Sequence, residues 1–153
     1  MDRIDRKILM ELQQDCTLPI ARLADKVGLS ASPCWKRVQK LEESGVITGR
    51  VAFVDPHRVG LNLTVLAEVE ALDHTAAWRE RFLSEVDAID EIVEVLRLGG
   101  VADYMLRIVT TDMAAYDTIY IRLSAAVPMR SVTSRFVMET IRRTSVLPIP
   151  SGG

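Results

Sequence analysis

Apolar positions return at helical spacing through the first fifty residues, and from Leu61 onward stretches of alternating period take over. Ile4, Ile8, Leu9 and Leu12 make one stripe, with Arg3, Arg6, Lys7 and Glu11 off it, which predicts an amphipathic helix over residues 2–14. Thr17-Leu18-Pro19 reads as a turn that restarts a helix, whose buried stripe is Ile20, Leu23, Ala24 and Val27. Gly28-Leu29-Ser30 follows as a tight turn, with Gly28 supplying positive φ. The segment from Ser30 to Leu41 then reads as a second, basic helix that stops at Gly45. Ser32 is expected to cap it and Pro33 to occupy its first position, with Trp35, Val38 and Leu41 as the packing face. Val46–Val54 has the composition of a short strand or hairpin and ends near Asp55-Pro56.

Beyond Leu61 the periods switch. Leu63–Ala71, Ile92–Leu98, Asp103–Val109 and Ser131–Met138 read as strands. A helix from His74-Thr75 to Val86 carries Trp78, Phe82 and Val86 inward, and another from Asp112 to Ala126 carries Tyr116, Ile119 and Leu123. The order βαββαβ defines a ferredoxin-like sandwich. The whole is an α+β chain: a winged helix-turn-helix with linker over residues 1–60, then the sandwich and a C-terminal tail over residues 61–153. Apolar residues on the sheet's other face call for cover, which a second copy of the sheet would supply.

Charge sharpens the division. Residues 1–50 hold nine Lys/Arg against seven Asp/Glu, a net +2, and the remainder carries −4; all four lysines lie in the first part. Lys36, Arg37 and Lys40 on the second helix suit phosphates and guanine edges, Ser30 and Ser32 can bond phosphate near its start, and Trp35 packs on core or sugar. Arg50, on the wing, can reach a phosphate. An ordinary amphipathic surface helix would share much of this pattern. The modest charge favours a dimer on double-stranded DNA.

Other chemistry is sparse. Cys16 and Cys34 are too few for a zinc site, and Cys34 is expected to be a small, partly exposed residue of the basic helix. His57 and His74 read as loop or surface residues. No metal, cofactor or catalytic group is expected. No apolar run is long enough for a membrane span and no signal peptide opens the chain, so the expected location is the cytoplasm.

Several motifs together resemble the Lrp/AsnC family of transcriptional regulators. They are Asp5-Arg6-Lys7-Ile8-Leu9, Leu23-Ala24 with Val27-Gly28-Leu29-Ser30, Lys36-Arg37-Val38 with Leu41-Glu42, and Gly45-Val46-Ile47-Thr48-Gly49. Gly100-Val101-Ala102-Asp103-Tyr104 and Asp112-Met113-Ala114-Ala115-Tyr116 continue the likeness in the second half. Gln13–Leu18, Pro33–Arg37 and Thr144–Ile149 look most like the cysteine-responsive branch. The resemblance implies dimers that assemble into octamers and a small amino-acid effector, cysteine as first choice, held between dimers. The implied effector residues are Gly100, Val101, Ala102, Asp103, Tyr104, Met113, Ser134, Arg135 and Phe136. Asp103 would meet the ammonium, and loop N–H groups or Arg135 the carboxylate. Taken by themselves, Gly99-Gly100 and Asp103 are also what a hairpin turn and its cap require.

Three positions depart from the family pattern: Ser134 stands where threonine is usual, Arg135 where many relatives are neutral, and Pro128 where glycine is usual. Two other classes are open: an enzyme of the haem-pathway decarboxylase type on the same fold, and an architectural DNA-binding protein without effector. Two isolated histidines and no cluster around a tetrapyrrole carboxylate speak against the enzyme.

Overall fold

The computed structural model describes residues 1–150, which fall into two compact units. The first comprises Met1–Phe53 together with the tail from Ile141, and the second Val54–Thr140.

The first unit is a trihelical bundle of α1 (Arg3–Gln14), α2 (Ile20–Val27) and α3 (Ala31–Glu43). Asp2 caps α1 with a reciprocal box: its side chain accepts from the N–H groups of Ile4 and Asp5, and the Asp5 carboxylate accepts from the Asp2 N–H at 2.9 Å. Gly28 ends α2 at φ 76°, the left-handed conformation expected of it. Ile8, Leu23, Ala24, Val27, Cys34, Val38 and Leu41 close the core.

Three expectations about α3 are corrected. Its N-cap is Ser30, without a side-chain cap bond, and Ser32 lies inside the first turn. Pro33 sits at the third helical position, where the helix still needs no N–H; the first intrahelical donor is Cys34, bonded to the Ser30 carbonyl at 3.2 Å. The buried stripe is Cys34, Val38 and Leu41, so Cys34 is fully enclosed and Trp35, a 100° step round the helix, is left 49% exposed.

Two further expectations fail for non-local reasons. Residues 46–54 form no strand: the described tail residues line a cavity with them, but no segment completes a hydrogen-bonded ladder. The tail, expected with the second domain, packs on the first. The Leu147 N–H donates to Gln13 Oε1 at 2.6 Å, Gln13 Nε2 donates to the Leu147 carbonyl at 3.3 Å, and Ile149 packs against the helical core.

The second unit opens with a 3₁₀ turn (His57–Val59), followed by β1 (Leu63–Ala71), α4 (Ala76–Asp87), β2 (Ile92–Arg97), β3 (Tyr104–Thr110), α5 (Met113–Ala126) and β4 (Met129–Phe136). The sheet is antiparallel in the order β2-β3-β1-β4, as the ferredoxin-like topology requires. β4 begins two residues earlier than expected because Met129 already pairs with Ala71. Thr75 and Asp112 cap α4 and α5 by accepting from the N–H groups of Trp78 and Ala115.

Val65, Ala67, Val69 and Ala71 point to the helices and are buried, while Thr64, Leu66, Glu68 and Glu70 take the other face. Phe82 is fully enclosed, its ring 5.0 Å from that of Trp78 and 4.7 Å from that of Tyr104. The Trp78 indole N–H donates to the Pro128 carbonyl at 2.6 Å, which ties the α5–β4 turn to α4. Phe82→Ala is expected to cost about 3–5 kcal/mol in the stability of the second unit, read from denaturant unfolding of the whole chain.

Candidate functional site

On α3, Ser32, Lys36, Gln39 and Lys40 form the outward stripe, with Trp35 on its flank. Lys36 and Lys40 are exposed and make no ion pair among the described residues, so their ammonium groups face solvent. Ser30 and Ser32 are exposed at the helix start.

Arg37 is differently placed. It lies toward α1, where its Nη1 meets Asp2 Oδ2 at 2.6 Å and Asp5 Oδ1 at 2.7 Å. These are the two carboxylates of the α1 capping box, so one guanidinium locks the start of α1 to the middle of α3. The expected DNA contact by Arg37 competes with this bracket. Arg50 is likewise engaged, with Glu42 at 2.8 Å, and it stands on irregular backbone rather than on a wing strand. Burial pushes the Cys34 thiol upward, which keeps it protonated and unreactive in the core.

In the second unit the Gly100–Tyr104 loop closes the β2–β3 hairpin, with the Leu98 N–H bonded to the Asp103 carbonyl at 2.8 Å. Gly100 adopts φ 141°, a region open to glycine and hostile to side chains. Val101 is 86% exposed, and the N–H groups of Gly100, Val101 and Ala102 have no protein acceptor among the described residues. Asp103 is a brace: its N–H donates to the Val69 carbonyl at 2.9 Å and its Oδ2 accepts from the Ala71 N–H at 2.8 Å. Its Oδ1 remains, 3.7 Å from His74 Nδ1. A cleft of about 500 Å³ lies here, lined by His74, Trp78, Arg79, Arg97, Asp103 and Tyr104 among others.

The sequence alone carries no sign of His74, Arg79 and Arg97 at this site, since they come from the approach to α4, its first turn and the end of β2, and line one cleft with Asp103 only in the folded unit. Thr75 beside them holds the Asp73 carboxyl below its usual range, chiefly through its hydroxyl.

The remaining expected effector residues lie elsewhere within the unit. Tyr104 opposes Val69 on one side of β1, and Phe136 opposes Val65 on the other, about 13 Å further along the strand. Ser134 and Phe136 face the helices, with the Ser134 hydroxyl hydrogen-bonded to that of Tyr116 and the Phe136 ring edge-on to Tyr116. Arg135 points to the opposite face and makes a fork-like pair with Glu68, both bonds 3.1 Å, so a single chain does not bring it to Ser134 and Phe136. Met113 is exposed at the first position of α5. No helix of the described residues is long and apolar enough to cross a membrane, and those residues contain no cluster of potential metal ligands.

A basic helix after a glycine turn, joined to a ferredoxin-like unit with an open hairpin loop beside a cleft, defines a DNA-binding protein with a ligand-binding domain. Residues 1–48 match the winged helix-turn-helix DNA-binding family, and residues 64–147 match the Lrp/AsnC ligand-binding domain. The chain is 43% identical over 150 residues to the DNA-binding transcriptional activator DecR of Escherichia coli, covering 97% of this chain and 99% of that protein. The crystal structure of an AsnC family transcriptional regulator from Agrobacterium tumefaciens superimposes with TM-score 0.92 at 49% identity, over 97% of each chain. A Neisseria meningitidis transcriptional regulator solved in complex with L-Met does so with TM-score 0.92 at 32% identity, over 97% of this chain and 96% of that one. The chain belongs to the Lrp/AsnC family of transcriptional regulators. Its relatives are regulators rather than enzymes.

The Asp5 N–H, followed by Arg37, holds the Asp2 carboxyl down at about 2. A depressed carboxyl stabilises the fold above its unfolded value, near 3.8, and that contribution is lost as pH falls toward 2. Asp2→Asn is therefore expected to lower the melting temperature above pH 4, with the gap to wild type closing toward pH 2 in thermal scans.

Proposed function

We propose that the chain regulates genes of amino-acid metabolism as a homo-oligomer, with α3 reading DNA and a small amino acid bound at the Gly100–Asp103 loop modulating it. The cytoplasm, where its DNA would be found, is the corresponding location. The observation that carries the DNA part is the outward stripe of α3: Lys36 and Lys40 stand unpaired on the exposed face, with Ser30, Ser32 and Trp35 beside them. Arg37 serves mainly to fix the angle of that helix against α1, and Arg50 joins a phosphate only by leaving Glu42.

For the effector, the loop offers unbonded N–H groups to a carboxylate and one carboxylate oxygen of Asp103 to an ammonium. Arg79 and Arg97 add cations to the same cleft. Ser134 and Phe136 gather at Tyr116, away from the Tyr104 end of β1, and Arg135 faces the other side of the sheet, which supports a site shared between subunits, with these residues and Met113 supplied by another copy. Cysteine is the first choice of effector, and the methionine bound to the Neisseria relative supports a sulfur-containing ligand.

Assembly follows from the sheet. α4 and α5 cover one face, and the other presents Leu66, Leu96 and Met105 between the pairs Glu68–Arg135 and Glu94–Arg107. A second sheet stacked there gives a dimer, and four dimers give an octamer.

Lys36→Ala with Lys40→Ala is expected to weaken binding to a selected operator by about 1–3 kcal/mol for each base-edge hydrogen bond removed, with less effect on random duplex, in a footprinting titration. An unchanged footprint overturns the assignment. Asp103→Asn keeps an acceptor for the Ala71 N–H but removes the charge facing the ligand. Calorimetry should find cysteine binding weakened at least tenfold in this variant, and undiminished affinity would misplace the site.

A further inference from the structure

The tail carries two arginines, Arg142 and Arg143, to which the helix-turn-helix reading gives no role. Both are exposed, neither makes an ion pair among the described residues, and no acidic residue occurs from Ile141 to the end of the chain. They do not belong to a loose end. Leu147 is held through both backbone polar groups by the Gln13 side chain, which acts as a strand partner would, and Ile149 is packed on the helical core. Arg143 is four residues from that anchor, so its Cα stays within about 14 Å of it.

Tail docking changes the electrostatics of the unit. With the tail included, the first unit holds eleven Lys/Arg against seven Asp/Glu, a net +4, while residues 54–140 hold eight against fourteen, a net −6. Within the first unit, Lys26, Arg37 and Arg50 are each paired to a carboxylate, which leaves eight Lys/Arg without an ion pair among the described residues, and the tail supplies two of them. The described tail residues form no helix or strand with which to enter a groove, and a guanidinium fork matches phosphate oxygens.

We infer that the docked C-terminal tail is a second DNA contact of the helix-turn-helix unit, in which Arg142 and Arg143 bind backbone phosphates without reading sequence. The inference rests on the proposed DNA-binding role, which its test keeps separate.

The test uses the full chain, wild type and R142A/R143A. Each is titrated with a duplex selected on the wild type and with a random duplex of equal length, by fluorescence anisotropy between 50 and 200 mM NaCl. The slope of log affinity against log salt should become shallower by about two for each bound protomer, on both duplexes alike, with the ratio between duplexes unchanged. Over that salt range the wild-type advantage should shrink about tenfold per protomer. A variant with the wild-type slope overturns the inference and leaves the regulator reading intact, whereas a wild type that binds neither duplex overturns both. Gln13→Ala, which leaves every charge in place, should weaken both duplexes several-fold, and wild-type affinity there overturns positioning by the clamp.

Discussion

The second unit depends on one strand serving two neighbours and two faces at once. β1 pairs with β3 on one side and β4 on the other, so every residue in it is constrained by register. Its inward set is limited to Val65, Ala67, Val69 and Ala71, small or β-branched residues that let the rings of Phe82, Trp78 and Tyr104 close over them. Its outward set mixes Leu66 with Glu68 and Glu70, too apolar to be a plain solvent face and too charged to be a core. A one-residue slip would exchange the two sets and destroy both surfaces. Asp103 guards against such a slip: by bonding the Ala71 N–H and the Val69 carbonyl, it fastens the hairpin loop to the last turn of the pleat. The loop's availability to a ligand and the sheet's register are thereby parts of one hydrogen-bonded arrangement.

In the first unit the comparable constraint is electrostatic. Asp2 and Asp5 satisfy the exposed N–H groups at the start of α1 and simultaneously receive Arg37 from α3. The negative pair is favoured where it stands because the helix N-terminus is its positive end. One cluster therefore caps a helix and sets how the next-but-one helix leans on it.

The elements legible in the sequence are those written by neighbours along the chain. Thr75 and Asp112 announce helix starts three residues ahead of the N–H groups they accept, Gly28 announces a stop, and the alternation of Leu63–Ala71 fixes its strand to the residue. What the sequence hides depends on distant partners. Arg37 finds carboxylates 32 and 35 positions away, Arg135 finds Glu68 at a separation of 67, and Leu147 finds Gln13 at 134. Trp35 misleads because its size suggests a core residue, while the stripe through Cys34 has an equally good helical period. Residues 46–54 have the composition of a strand, but a strand needs a partner as well as a propensity.

The placement of the two tryptophans has a spectroscopic consequence. Trp35 is 49% exposed on the outward flank of α3, and Trp78 is 5% exposed beneath the sheet with its indole N–H bonded to the Pro128 carbonyl. Their emission should therefore differ in colour and in access to quenchers, one red-shifted and open to iodide, the other blue-shifted and shielded. Each unit of the chain thus carries its own optical label, so that events at the outward face of α3 and rearrangements of the sheet and its covering helices can be followed separately in the unmodified protein.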